Sequence, residues 1–571
     1  MMMNRARAWG SLVGAGLLAA CRPPSVPNDP NARVPLASAP EWHNWSENLV
    51  HRPTPAGVDY YFAPTTREEL RAILARRPEG VGVRVSGQRH TQGPLVIADG
   101  RAPRPEAARV WLIDLSCYGD LGKRGDRSIV LDRANRQVTV NAGVREDFVD
   151  AFLRRHDLML QTVTAGGFFS MGGMTAIDVH GATIAAPIFA ETVAAFTIMG
   201  PDGTVTTIDN RSERVAGWSP LQFARVSLGA LGIVTSVTID VIDRPYANTL
   251  KPGRERFTVT DEAAFVQRFA PLLAAHSRLE TFYNPYTDKF LGLWWDVEPA
   301  PANRTPNAAS RLAGEPGVAV ASSCTIAEDG RYGAPLQPPP VERPAERSAE
   351  YVQLKGTRDE AIALLDFSFA DIEVQVDRAN RDHSDLWLGD AARVVFMSYF
   401  LELPRIDAAG LGKAWRGLEA VRGRLTGSEE FRLTGPIEFR FVRGGDSALA
   451  GTYSTDPDAV FVNFDLIAFV PAESSTAYPP AMLRFFADIE RAWVALGGFP
   501  HQGKMYGFHD PADPAGATPP FNPAFLAALA GRRGERLEAF DRYRRARDPA
   551  GVFCNDHLRA LGLCVAGAGE Q

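Results

Sequence analysis

A glutamate and an arginine two residues apart, Glu438 and Arg440, sit in the apolar run Ile437-Glu438-Phe439-Arg440-Phe441. In a strand, successive side chains alternate faces, so Ile437, Phe439 and Phe441 share one face and Glu438 and Arg440 the other. A carboxylate and a guanidinium aimed at one volume suit general-base chemistry, with a cation to steady developing negative charge. The same pair on an open surface would be an ordinary ion pair, nearly neutral in energy. Two glycine-bearing loops, each with a histidine, offer a second kind of chemistry. One is Val85-Ser86-Gly87-Gln88-Arg89-His90-Thr91. The other runs through Thr164-Ala165-Gly166-Gly167, Met171-Gly172-Gly173 and His180-Gly181. Glycines let backbone N–H groups approach a bulky anion closely; tight turns in a strand-rich domain are the plainer explanation.

Other motifs fail on their mechanics. Gly498-Phe499-Pro500-His501-Gln502-Gly503-Lys504 has phosphate-loop spacing, but Met505 stands where a magnesium-ligating Ser or Thr is needed, and a helical pattern precedes it. No GxGxxG, HExxH or GxSxG occurs, and no residue set suggests a metal site. Gly445-Asp446-Ser447 reads as a turn.

These residues need elements to hold them. Tyr60-Tyr61-Phe62 reads as a strand, and Thr66 with Glu69 as a capping box opening a helix. Strands follow at Val81–Ser86 and Val138–Val140, and a helix over Glu146–Arg155. A hairpin turns on Gly200-Pro201-Asp202-Gly203, and Ile233–Val241 closes the region. From about Tyr246 the character changes. Strands are expected at Leu291–Trp295, Ile437–Val442 and Val460–Phe464, with a helix over Met482–Leu496 and a basic helix after Phe540. The proline-rich stretch 299–344 reads as a long loop or lid. The fold class is α+β: a two-lobed domain over 41–245, a second α+β domain over 246–499 and a C-terminal segment over 500–571.

Composition sets the bounds. The 571 residues carry 61 Lys and Arg against 67 Asp and Glu, a net charge of −6. A mildly acidic chain without a basic block argues against nucleic acid as partner. With 31 Phe, 13 Tyr and 10 Trp there is ample core material. Arg5 and Arg7 precede the apolar run Ala8–Ala20, so residues 1–21 read as an export signal, too short for a comfortable span. Leu18-Ala19-Ala20-Cys21 resembles a bacterial lipobox, which implies lipidation of Cys21, membrane association through that anchor, and a periplasmic or cell-surface location. A plain signal peptide and secretion is the alternative. Residues 22–40 read as a flexible tether. Cys554 and Cys564 are the one near pair of the remaining cysteines, either a disulfide or two buried thiols.

Taken together, Ser86–Thr91, Gly172-Gly173 with His180-Gly181, Ser227-Leu228-Gly229-Ala230-Leu231-Gly232-Ile233-Val234-Thr235, Pro500–Lys504 and Asp548-Pro549 with Asn555 resemble the PCMH-type FAD-binding domain of the vanillyl-alcohol-oxidase flavoprotein family. The resemblance covers nearly all of 45–571. It implies FAD as cofactor, held by Ser86, Gly87, Gln88, Arg89, His90, Thr91, Thr164, Gly167, Gly172, Gly173, His180, Gly181, Gly232, Ile233 and Lys504, with covalent attachment through His90. The middle segment, with Glu280–Asp288, Trp294-Trp295 and the Glu-x-Arg strand, looks most like bacterial type II cholesterol oxidases. That implies oxidation of a secondary alcohol, a 3β-hydroxysterol such as cholesterol, with O2 as acceptor and a possible double-bond shift. Glu438 would be base, Arg440 its charge partner, and Asn555 would position the hydroxyl. A sugar-alcohol or aldonolactone oxidase or dehydrogenase is the alternative within the family. A non-catalytic lipid-binding lipoprotein is the alternative outside it.

Overall fold

The computed structural model describes residues 34–35, 42–51, 60–97, 110–121, 129–307, 317–319, 344–379, 385–389, 393–427, 429–469 and 478–564. The expected export signal lies outside these residues, as do all of the tether but 34–35 and all of the expected lid between 308 and 343 but 317–319.

Strands and helices mix as expected of an α+β chain. In the first domain Tyr60–Phe62 and Gly82–Ser86 flank Val110–Asp114 in parallel. A second sheet runs in the order Val205–Asp209, Val193–Met199, Ile233–Asp243, Gln137–Asn141, Ile129–Asp132 and Gly317–Ala319. The helix Arg67–Ala75 starts where Thr66 Oγ1 accepts from Glu69 N, 3.2 Å, and buries Leu70, Ile73 and Leu74. The returning Glu69 carboxylate reaches Thr65 N, 2.6 Å, one residue before the cap. The expected helix Glu146–Arg155 is present with those bounds.

The second domain is one antiparallel sheet. Its order is Leu250–Thr258, Lys289–Val297, Leu279–Asn284, Ile437–Arg443, Val460–Ala468, Val395–Leu403 and Phe499–Pro500. Period two splits its faces. Phe439 and Phe464 turn to the helices Glu262–Ala275, Ala408–Thr426 and Pro480–Ala495, meeting Phe269 at 5.5 Å and Trp493 at 5.5 Å between ring centroids. The Glu438 and Arg440 face looks the other way, into a cavity shared with the first domain.

The C-terminal segment stitches the two together. Phe499–Pro500 extends the second domain's sheet, and farther on Val552 O accepts from Val83 N in the first domain, 2.8 Å. Asp548 shapes that tail by accepting from Val552 N and Phe553 N, 2.8 Å each. Cys554 and Cys564 form a disulfide, which settles the alternative left open by sequence.

Arg84 binds three segments at one point. Its guanidinium donates to Phe553 O at 2.5 Å, Leu228 O at 2.7 Å and Gly229 O at 3.2 Å. Full burial lowers its pKa to about 10, still charged at neutral pH. Arg84→Met should leave three buried carbonyls without that donor, at a cost of about 2–4 kcal/mol. Thermal unfolding should show a melting temperature several degrees below wild type; an unchanged value would mean the junction holds without it.

Candidate active site

The cavity between the domains measures about 490 Å³. Its first wall is the Ser86–Thr91 loop, which leaves the parallel strand Gly82–Ser86 and bends through Arg89 at φ 64°. Thr164, Gly172 and Gly173 form a second wall, the latter two in the helix Met171–Ala176. The loop from Ser227 to Gly232 forms a third. Gly232 has φ 129°, and a Cβ there would stand 2.6 Å from Met199 O, so only glycine fits. The preceding turn carries Val226 at φ 52° and Leu228 at φ 54°, strained for such residues. It is held by Val226 N to Thr175 O, Leu228 N to Ala176 O and the Arg84 clamp.

His90 stands inside an aromatic cage. Its ring stacks on Trp45 at 5.4 Å and Phe168 at 5.3 Å and meets the edge of Phe169 at 4.5 Å. Burial, with Lys504 and Arg145 adding positive charge, lowers its pKa to about 3, so the imidazole is neutral. Its Nε2 is buried with no hydrogen-bond partner. His180 packs on Phe400 at 5.3 Å and His501 at 5.8 Å; burial first and Arg440 next take it to about 3. His501 is also held well below its usual value, by burial first and His180 next. Asp178 ties these segments, accepting from Gly451 N at 2.7 Å and Gln502 N at 2.8 Å.

The floor is charged. Glu438 and Arg440 are only 9% and 8% exposed, so the surface-pair alternative fails. They pair with each other. Arg440 Nη2 also donates to Glu280 Oε1 at 2.9 Å, while Glu280 Oε2 accepts from Trp387 Nε1 at 2.9 Å. Asp465 lies directly across from Glu438, and Asn463 across from Arg440. Burial raises the pKa of Glu280 and of Asp465. Lys504 reaches over the Phe396 ring, 3.9 Å from its centroid, with its pKa lowered by burial. Single-residue reading missed Glu280, Asp465 and Trp387. The available signal was Asn463 and Asp465 alternating with Val462, Phe464 and Leu466; Glu280, with Phe282 next on its face, and Trp387 carried none.

Four expected site residues stand elsewhere. Asn555 is a helix cap: its Oδ1 accepts from Leu558 N at 2.9 Å and its Nδ2 donates to Pro94 O and Leu95 O at 2.9 and 3.1 Å. Both amide N–H groups are used, and Asn555 is not among the residues lining the cavity. Gly167 is taken up by Thr164 Oγ1 and Asp147 N. Gly181 packs on Val163, where a Cβ would meet Val163 O at 2.5 Å. Ile233, expected to approach the cofactor through its backbone, buries its side chain in the core with Phe62 and Val83, between Gly232 and Val234 of the cavity lining.

Residues 58–209 match the FAD binding domain family, and residues 411–561 match the D-arabinono-1,4-lactone oxidase family. Together the matches cover more than half of the chain. L-gulonolactone oxidase of Mus musculus is 28% identical over 218 residues, 37% of this chain and 44% of the mouse enzyme, so that match spans under half of the relative's length. Mitochondrial L-galactono-1,4-lactone dehydrogenase of Arabidopsis thaliana is 22% identical, covering 76% of this chain and 70% of its own. L-gulono-1,4-lactone dehydrogenase of Mycobacterium tuberculosis is 23% identical, covering 92% and 99%. Among solved structures, cholesterol oxidase from B. sterolicum superposes with a TM-score of 0.62 at 16% identity, covering 94% of this chain and 99% of that one. A solvent-stable cholesterol oxidase gives 0.57, also at 16%, over 92% and 97%.

The cavity fits FAD on its own evidence: glycine backbone on the walls, a neutral imidazole with a buried, unpartnered Nε2, and a lysine whose charge reaches both His90 and Asp465. Fold and site are those of an FAD-binding protein. The chain carries a PCMH-type FAD binding domain over 58–209 and a D-arabinono-1,4-lactone oxidase domain over 411–561.

A histidine held neutral couples stability to pH. The folded His180 takes up a proton only near pH 3, whereas an unfolded one does so near pH 6.5. Its contribution is complete above pH 6.5 and is lost as pH falls toward 3. From pH 7 to 5, wild type should therefore lose about 1–2 kcal/mol more than His180→Gln. Denaturant unfolding at both pH values measures this; parallel losses would place a charged imidazole in the fold.

Proposed function

We propose that this protein oxidises a CH–OH group of a sugar-type lactone and passes the electrons to O2, with release of H2O2. The observation that carries the reading is the charged floor: Glu438, Arg440, Glu280 and Asp465 gathered on one sheet face beside the cofactor cavity, with Lys504 added from the segment after the strand Phe499–Pro500. Such a floor offers many hydrogen bonds to a polyhydroxy substrate. The relatives' names point the same way, gulono-, galactono- and arabinono-lactones recurring across matches of up to 92% of the chain.

Bound flavin supplies the hydride acceptor. Glu438 takes the hydroxyl proton, and Arg440 steadies the oxygen as negative charge grows on it. Arg440 cannot swing away, because Glu280 holds it and Trp387 holds Glu280. Lys504 keeps positive charge at the cavity end. The His90 cage supports covalent attachment of the flavin, since a neutral imidazole with a free nitrogen is a nucleophile.

A 3β-hydroxysterol is the second reading. It is favoured by the outer cavity wall, where Leu364, Phe367, Ile372, Phe396 and Phe469 form an apolar lining, and by the shared fold with cholesterol oxidases.

Anaerobic stopped-flow reduction with L-gulono-1,4-lactone, L-galactono-1,4-lactone and cholesterol separates the readings. Flavin bleaching by a lactone and not by cholesterol is expected, and the reverse would overturn the lactone reading. Glu438→Gln should slow reduction about 10²–10⁴-fold with little change in substrate affinity. Reduction at the wild-type rate would remove Glu438 as base. For the flavin link, acid precipitation should leave wild-type protein yellow and His90→Ala colourless. Release of all wild-type flavin to the supernatant would refute attachment.

A further inference from the structure

We infer that Asp465 is a second substrate anchor, which holds a hydroxyl on the carbon next to the one oxidised and so selects substrates with two adjacent hydroxyls. The inference rests on the reading of Glu438 as the group that meets the reacting hydroxyl. Glu438 and Asp465 are directly opposed on neighbouring antiparallel strands, so their side chains leave the same face from points about 4.5–5.5 Å apart. Both line the cavity. Asp465 is only 5% exposed, yet its Oδ1 has no hydrogen-bond partner. A buried polar oxygen left unmatched is costly, so the position calls for a donor from a bound molecule.

Of the neighbours, Asn463 Oδ1 is likewise buried without a hydrogen-bond partner, whereas Arg440 and Glu280 are engaged. Arg440 is shared between Glu438 and Glu280, and Glu280 is further tied to Trp387. Ser398 lies across from Asp465 on its other side, accepts from Asn463 Nδ2 at 2.9 Å and bonds the Asp465 carboxylate through its hydroxyl, which leaves Oδ1 as the unmatched oxygen. Lys504 supplies positive charge that favours the carboxylate, while burial opposes it. The free oxygen therefore sits beside the Glu438–Arg440 pair rather than within it. A hydroxyl donor arriving there comes from the same substrate, one position along from the group that Glu438 meets. A lactone or an alditol offers such a donor. A 3β-hydroxysterol, with ring methylenes on both sides of its one hydroxyl, does not.

The test is a cycle between residue and substrate, using the flavin-loaded full chain. Calorimetry on the dithionite-reduced holoenzyme gives dissociation constants without turnover for L-gulono-1,4-lactone, for its single-deoxy analogues and for xylitol. In wild type, one deoxy analogue should bind about 10- to 100-fold more weakly than the lactone. Asp465→Leu should weaken the lactone by a similar factor and leave that analogue no weaker than in wild type. Asp465→Asn, which keeps an acceptor and the side-chain volume, should fall between. If Asp465→Leu weakens the lactone and every deoxy analogue equally, the residue acts through the fold and the anchor role is overturned. If Asp465→Leu does not accumulate, the deoxy series on wild type with Asp465→Asn decides the question by the same comparison. A holoenzyme that binds xylitol through Asp465 and ignores lactones would overturn the lactone reading and keep the anchor. One that binds and oxidises cholesterol alone would overturn both.

Discussion

Everything at this site depends on keeping charge out of water. Glu438, Arg440, Glu280 and Asp465 are each at most 9% exposed, and an isolated ion so placed would be prohibitively unstable. They persist because they meet across three adjacent strands, with Arg440 bridging two carboxylates. Such a network stabilises the fold little by itself, because the cost of desolvation offsets most of the attraction. What it does supply is position. Glu438 is held beside a guanidinium in a dry pocket, and that guanidinium is held from behind by Glu280.

That network needs a sheet whose register does not slip, and the far face provides it. Phe439 and Phe464, one residue along from the charged positions, pack into an aromatic layer with Phe269, Trp415 and Trp493. A one-residue slip would put the aromatics in the cavity and the charges in the core, a change far larger than any local rearrangement. The cofactor wall is secured differently, by few but fully buried polar clamps. Arg84 gathers three carbonyls and Asp178 two N–H groups, so the strained turn at Val226 and Leu228 is fixed from outside.

Local signals in the chain made the walls legible. Thr66 with Glu69, the Gly200–Gly203 turn and the Glu146–Arg155 periodicity depend on residues a few positions apart, and those elements stand close to where they were expected. Period two was enough to bring Glu438 and Arg440 to one face. Glu280 and Asp465 were not legible as site residues, because their place depends on which strands pair and in what register, across 160 residues in the case of Glu280 and Arg440. Asn555 shows the opposite failure. The motif around it was recognised, but whether its amide faces a cavity or caps a helix is decided by Leu558 N and the Pro94–Leu95 carbonyls, which no spacing announces.

The cavity's two ends make different demands on a substrate. Near the sheet, the bonding groups are charged and fixed, so a substrate hydroxyl that finds no partner there leaves a buried carboxylate unsatisfied. At the outer wall, Leu364, Phe367 and Ile372 come from the single helix Arg358–Ala379, and Phe367 remains 60% exposed. An apolar wall that is still wet discriminates weakly, since a methylene more or less there is worth only about 1–3 kcal/mol. A missing hydroxyl at a buried polar group is discriminated far more strongly. On the proposed reading selectivity resides in the charged floor, and a relative could change its preferred alcohol by changing Asp465 while keeping Glu438, Arg440, the Glu280 that holds Arg440 and the whole cofactor wall.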